Sequence, residues 1–205
     1  MRKAQKNLWL VVMFILLVVL PLASYLLVKK GYSIRQNIQA SQIYNPSGPK
    51  TPNFSLISHR GDTLTNSSLK DKVVIFEFID HTSVEAISER HPLFEIQESY
   101  KGKTLNLRIV SVWVDSTKES SLQDLLHFAN RYAVRENWNV VNGTGVDELM
   151  GSFTSTITNG PRDSILFPNI VLLMDKEGRI AGDYQPTNKE QFDALFIDVL
   201  YLIDK

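Results

Sequence analysis

Apolar residues in this chain fall into blocks separated by short polar breaks, and the spacing inside each block predicts its element. Leu8–Val28 is 21 residues without a charge, bounded by Lys6 and by Lys29 and Lys30. At about 1.5 Å per residue a helix of that length spans roughly 30 Å, the thickness of a bilayer's hydrocarbon core. Trp9 and Tyr25 stand near its ends, where interfacial aromatics are favoured. Pro21 is compatible with a membrane helix, because neighbouring groups absorb the lost hydrogen bond. A cleaved signal peptide is the alternative. Its apolar region is usually about 7–15 residues, and Leu22-Ala23-Ser24 is a poor small-x-small site, so a retained anchor is preferred.

The next blocks are shorter and read as strands and helices. FSLIS from Phe54 and DTLT from Asp62 predict two short strands around the turn His59-Arg60-Gly61-Asp62, in which His59 reads as a solvated turn residue. Lys72–Ile79 (KVVIFEFI) is rich in β-branched and aromatic residues and stops at Asp80-His81-Thr82-Ser83, the pattern of a buried strand leading into a loop. A helical stretch then runs to about Tyr100, with Pro92 kinking it or starting a second segment. Leu105–Trp113 predicts another strand. Leu122, Leu125, Leu126, Ala129, Tyr132 and Ala133 keep the spacing of a core-facing helix, and His127 falls beside that stripe. WNVV from Trp138 is a short apolar piece. Val146, Leu149, Met150 and Phe153 give a further short helix. Ser164–Asp175 predicts a third long strand interrupted by Pro168, turned by Lys176-Glu177-Gly178 into a hairpin. A closing helix carries Phe192, Leu195, Phe196, Val199, Leu200 and Ile203, with Thr187 and Glu190 as its capping box.

This order, ββ, βαβ, α, α, ββα, is mixed α/β and reads as a thioredoxin-like domain with a single N-terminal transmembrane helix. The expected organisation is a basic N-terminus (1–7), a membrane helix (8–28), a linker (29–52) ending in Asn45-Pro46-Ser47-Gly48-Pro49, and the folded domain (53–205).

Charge and cysteine count narrow the chemistry. Residues 1–52 hold seven basic side chains and no acidic one, whereas all 22 acidic side chains lie in 53–205 with the other 15 basic ones, for a net charge of −7. An acidic domain argues against nucleic acid as a partner, since phosphate binding needs clustered Lys and Arg. The chain has no cysteine. Disulfides, thiolate metal sites and thiol nucleophiles are thereby excluded together. The charges flanking the membrane helix nearly tie and do not set its orientation.

On these residues the chain resembles the SCO/SenC proteins, membrane-anchored thioredoxin-like domains that bind copper and help mature cytochrome oxidase. The resemblance covers about residues 50–205, and the single anchor matches. In that family a strand ends in Phe-x-Phe-Thr-x-Cys-Pro-x-x-Cys-Pro; here Phe76-Glu77-Phe78-Ile79-Asp80-His81-Thr82-Ser83-Val84-Glu85-Ala86 stands in its place, with His81 and Glu85 within one position of the two cysteines. Val114-Asp115-Ser116 resembles the family's Val-Asp-Pro segment without the proline, and Trp138 resembles a downstream tryptophan. Leu173–Ile180 with Tyr184 resembles its Leu-x-Asp-x-x-Gly-x-Ile hairpin. The family's copper-binding histidine lies eight residues before that aspartate, where this chain has Phe167, followed by Pro168.

The resemblance therefore implies the fold and the membrane setting with the copper ligands gone. Copper(I) prefers soft thiolate and thioether ligands, and disulfide exchange needs a thiolate. The first expectation is a non-catalytic, membrane-tethered domain, a pseudoenzyme that binds a partner protein, with no cofactor and on the extracytoplasmic side of the membrane as in the family. The vestigial site would comprise Asp80, His81, Glu85, Asp115, Phe167 and Pro168. A second expectation is a hard-ligand metal site of Asp80, His81, Glu85 and Asp115, suited to zinc, copper(II) or manganese. A third is acid–base chemistry by His81 paired with Asp80 or Asp115. No G-x-S-x-G, phosphate loop or H-E-x-x-H accompanies it.

Overall fold

The computed structural model describes residues 9, 12–36, 39–79, 91–114, 122–143, 145–154 and 170–205, and the chain divides into two compact units, 1–39 and 40–205. In the first, helix α1 (Leu20–Gln36) follows a π-wound turn, Ile15–Val19, in which the Leu20 N–H bonds the Ile15 carbonyl. The wide turn sits directly before Pro21, whose ring and missing N–H disturb regular winding. Val12–Lys30 has a mean hydropathy of 2.4, and by length and composition it is a candidate membrane span.

The second unit is a seven-stranded sheet: β1 (Ser55–Ser58), β2 (Thr63–Thr65), β3 (Val73–Ile79), β4 (Leu107–Trp113), β5 (Trp138–Asn142), β6 (Val171–Met174) and β7 (Ile180–Tyr184). The order is β2-β1-β5-β4-β3-β6-β7. β3 pairs in parallel with β4, from Val73↔Leu107 to Ile79↔Trp113, and β4 in parallel with β5; the other pairings are antiparallel. All seven residues of β3 are buried, as a strand covered on both faces must be.

Helices α2 (Pro92–Tyr100), α3 (Leu122–Arg131), α4 (Val146–Thr154) and α5 (Lys189–Asp204) cover the sheet. The crossovers β3-α2-β4 and β4-α3-β5 step the same way along the sheet, so their shared right-handedness puts both helices on one face. There Leu93, Ile96, Phe128, Leu195 and Val199 close over Val73, Ile75, Ile109 and Trp138. On the other face Val146, Leu149 and Phe153 of α4 pack on Phe76, Phe78, Val110 and Leu172. Complete burial of each such aliphatic or aromatic side chain is worth about 1.5–3 kcal/mol.

Several local readings change. WNVV is not an isolated apolar piece but most of β5, which joins β4 to β1 and completes the sheet; a five-residue strand is too short for periodicity to reveal. Leu125, Phe128, Ala129 and Tyr132 are buried, whereas Leu122 and Leu126 are 50% and 38% exposed. Ala133 lies beyond the helix with φ +51°, forming its left-handed end. The cap of α5 is Asn188, whose side-chain oxygen accepts from the Glu190 and Gln191 N–H groups, and not Thr187. Pro92 does start a helix, at its N1 position. His59 is only 8% exposed, and its Nδ1 accepts the Val140 N–H at 3.1 Å, so it is a built-in partner for β5 rather than a solvated turn residue. The strand expected from Ser164 is described only from Val171.

Residues 41–51 of the segment read as a linker run against β7 and α5. Asn45 N–H bonds Ala181 O at 2.6 Å, Ile180 N–H bonds Pro49 O at 2.9 Å, and Thr51 N–H bonds Gly178 O at 2.8 Å. Ser41 is tied to the buried Asp198 through both its N–H (2.6 Å) and its hydroxyl (2.5 Å).

Candidate functional site

The candidate residues Asp80, His81, Glu85, Asp115, Phe167 and Pro168 all lie outside the described residues. The elements that lead into them are well defined. β3 ends at Ile79 and β4 at Trp113, paired side by side, and the Val114 N–H closes on the Ile79 carbonyl at 2.7 Å. β6 begins at Val171, opposite Glu77. All three chain segments therefore join the sheet at one end, the carboxyl end of its parallel strands, where α/β proteins collect their ligands.

Directly beneath that end lies a polar network that sequence reasoning missed. β3 alternates Val73, Ile75, Glu77 and Ile79 toward α2 and α3, which aims the Glu77 carboxylate into the apolar layer, 4% exposed. Ser111 is its register partner on β4, and the Ser111 hydroxyl donates to Glu77 Oε1. Trp138 Nε1–H donates to Ser111 Oγ at 2.7 Å. His91 Nε2 lies 3.2 Å from Glu77 Oε2. The chain of donors runs from β5 through β4 to β3, and a fourth arm comes from the start of α2.

His91 is placed by the helix it caps. Its Nδ1 accepts the Leu93 N–H at 3.2 Å, which satisfies one of the orphan donors at a helix start. An accepting Nδ1 requires the proton on Nε2, so the ring donates to Glu77. The imidazole is 3% exposed and meets the edges or faces of Phe128, Tyr132 and Trp138 at centroid distances of 5.7, 5.1 and 5.1 Å. Burial raises the Tyr132 phenol above its ordinary value, with Arg131 opposing and the Glu77 charge adding to the rise. A carboxylate in such surroundings is tolerable only when hydrogen-bonded, and Glu77 has a donor on each oxygen.

What this arrangement can do chemically is limited by its connectivity. Ser111 gives its proton to a carboxylate, not to the imidazole, so His91 cannot activate it as a nucleophile in the manner of a Ser-His-acid triad. Neither nitrogen of His91 keeps a lone pair for a metal. Among the described residues no three His, Asp or Glu side chains gather as a metal-holding group. The chain has no thiolate for the copper site that the resemblance implies, and among the described residues the histidine beneath the site, His91, is fully engaged. The signal in the sequence was Glu77 itself, a lone charge in an otherwise apolar run, with His91 standing before a proline.

A parallel β-α-β-α-β core continued by an antiparallel pair and a closing helix defines the thioredoxin-like class. Within it the chain has a SCO/SenC-like thioredoxin fold. It is 24% identical over 166 residues to the SCO1 protein homolog of Bacillus subtilis, a match spanning 77% of this chain and 85% of that protein. The structure of BsSco, a member of the Sco family of cytochrome c oxidase assembly proteins that carries a disulfide switch, superposes with a TM-score of 0.58 at 20% identity, covering 78% of this chain and 99% of that one. A SCO1/SenC family lipoprotein from Bacillus anthracis superposes with a TM-score of 0.60 at 17% identity, covering 78% and 98%. No protein-family model matches the chain.

Proposed function

We propose that this protein is a membrane-tethered SCO-like domain that binds a protein partner in respiratory oxidase maturation, with no thiol-redox or copper-thiolate chemistry of its own. The observation that carries the reading is the closed Trp138–Ser111–Glu77–His91 network beneath the site end of the sheet, in a chain without cysteine. A scaffold that keeps the SCO-like strands and helices while its interior polar groups are used up on one another offers surfaces, not reactive atoms. The relatives supply the biological setting: BsSco belongs to a family of oxidase assembly proteins, and the Bacillus anthracis relative is a lipoprotein. Val12–Lys30 is taken as the anchor and the domain as extracytoplasmic.

Removal of the gene from its source cell should lower assembled cytochrome oxidase, measured by its haem absorbance, and the full chain should co-purify from detergent extracts with an oxidase subunit. Unchanged oxidase together with no co-purifying subunit overturns the reading. Sidedness has a clean test because the native chain has no cysteine. Asp183→Cys, at an exposed position, should react with a membrane-impermeant maleimide in intact cells after the outer barrier is opened.

A second reading is favoured by one observation. β3 and β4 end in register at Ile79 and Trp113, so the segments carrying Asp80, His81, Glu85 and Asp115 leave the sheet as neighbours. Titration of the full chain with zinc and copper(II), beside His81→Ala, tests this metal site; stoichiometric binding lost in the variant supports it, and equal background binding in both sinks it.

A further inference from the structure

At the opposite end of the parallel strands, the α2–β4 and α3–β5 turns line an open hollow of about 650 Å³. Lys101, Lys103, Arg108 and Arg135 line it, against one acidic side chain, Glu136. Four cations gather around this hollow although the domain as a whole has a net charge of −7. Among the described residues neither the Lys101 nor the Lys103 ammonium has a hydrogen-bond or ion-pair partner. Both lysines are exposed, and Leu105 on the same rim is 77% exposed.

The walls are fixed. Buried Gln97 of α2 accepts the Arg135 N–H at 2.8 Å and donates to the Ala133 carbonyl at 3.1 Å, tying one turn to the other's helix. Arg135 Nε is held by Glu98 at 2.7 Å. Arg60 grips the Arg135 and Trp138 carbonyls from the far side. The hollow is therefore built into the fold, while its lysines remain available.

The kind of anion follows from how the charge is carried. Positive charge is supplied by separate side chains on long stems, those of Lys101, Lys103, Arg108 and Arg135, and the N–H groups of Lys101 and Lys103 are spent on the carbonyls of Glu98 and Tyr100. Spaced cations beside an exposed leucine match spaced carboxylates beside an apolar residue. We infer that this basic hollow docks an acidic segment of a partner protein, with Lys101, Lys103 and Arg108 facing its carboxylates and Leu105 meeting an apolar side chain between them. The inference rests on the reading of the chain as a protein-binding domain and names the surface used.

The test uses the full chain in neutral detergent micelles and a fluorescent, acetylated eight-residue peptide of alternating glutamate and leucine, followed by anisotropy. Saturable binding should weaken at least tenfold in the Lys101→Glu/Lys103→Glu double variant and fall steeply with added salt. Arg108→Gln, with a thermal melt matching the parent, serves as the second variant and should weaken binding severalfold. No saturable binding, or binding indifferent to both variants, overturns the inference. So does displacement of the peptide by pyrophosphate or by vesicles of anionic phosphatidylglycerol at lower concentrations than a competing acidic peptide, which would make this a phosphate site. An oxidase subunit that co-purifies equally with parent and double variant overturns the docking surface and leaves the protein-binding function standing.

Discussion

His91 and Glu77 face each other across 3.2 Å in the interior, one at the cap of α2 and the other mid-way along β3. The pair couples the first turn of a helix to the central strand, and it uses every hydrogen-bonding position of the imidazole. Such a lock fixes the start of α2 against β3. It also leaves no tolerance for a donor in place of the carboxylate.

Glu77→Gln, nearly isosteric, tests that tolerance. If the new amide nitrogen faces His91, two donors meet, because the Nδ1 of the ring is committed to Leu93. If the amide turns over, Ser111 receives protons from both that amide and Trp138, and its own has no acceptor. Either way one buried donor is orphaned, at a cost of about 1–3 kcal/mol. Urea unfolding should show the midpoint lowered with an unchanged slope, and a variant as stable as the parent would show that the pair is no lock.

This network also shows where legibility ends. The strand Val73–Ile79 announced itself by composition, and the joint order of strands and helices was enough for the thioredoxin-like class. The closing helix was readable because Leu195 and Val199 recur on one face. By contrast, Glu77, Ser111, His91 and Trp138 are separated by up to 61 residues and meet only through the parallel register of β3, β4 and β5. Periodicity carries no information on register between distant strands. β5 was hidden for a different reason, being too short for periodicity to reveal.

His59 makes stability depend on pH. Burial, followed by the neighbouring Arg60, lowers its pKa from the ordinary 6.5, and its Nδ1 must stay unprotonated to accept the Val140 N–H. Below pH 6.5 the unfolded chain therefore binds a proton that the folded chain refuses. The contribution of His59 is complete above that pH and is lost as pH falls toward the lowered folded value. His59→Asn presents an acceptor to Val140 without titrating. Denaturant midpoints measured in steps between about pH 7 and pH 5 should fall less steeply in the variant, and parallel curves would contradict the assignment.

Gly48 sits where the segment before the domain crosses β7. A methyl group there would lie 1.7 Å from the Ile180 carbonyl oxygen and 2.8 Å from its carbon, both backbone atoms that cannot turn aside. Gly48→Ala should push residues 45–51 off the sheet edge and cost about 1–3 kcal/mol, the usual penalty of overpacking. Hydrogen exchange should speed up first at Thr51 and Ile180, whose amides bond across this contact. Unaltered exchange at both would mean that the segment does not depend on the crossing.

Asp198 decides where the folded unit begins. It is fully buried on α5 and accepts from Ser41 N–H, Ser41 hydroxyl and, at 2.7 Å, the Tyr184 hydroxyl. Burial, reinforced by the hydrogen bond and charge of Asp198, holds the Tyr184 phenol far above its usual range, so it acts as a donor at any physiological pH. In Asp198→Asn the NH2 group confronts either the Ser41 and Tyr184 hydroxyl donors or, with the amide turned over, the Ser41 N–H, so a donor faces a donor in each orientation. The expected loss is about 1–3 kcal/mol, with new protease cleavage between residues 39 and 45 while the sheet stays intact. Global unfolding without that early cleavage would show Asp198 to be a core residue only. Cleavage in the variant but not the parent would show that one carboxylate keeps residues 41–51 bound to the fold.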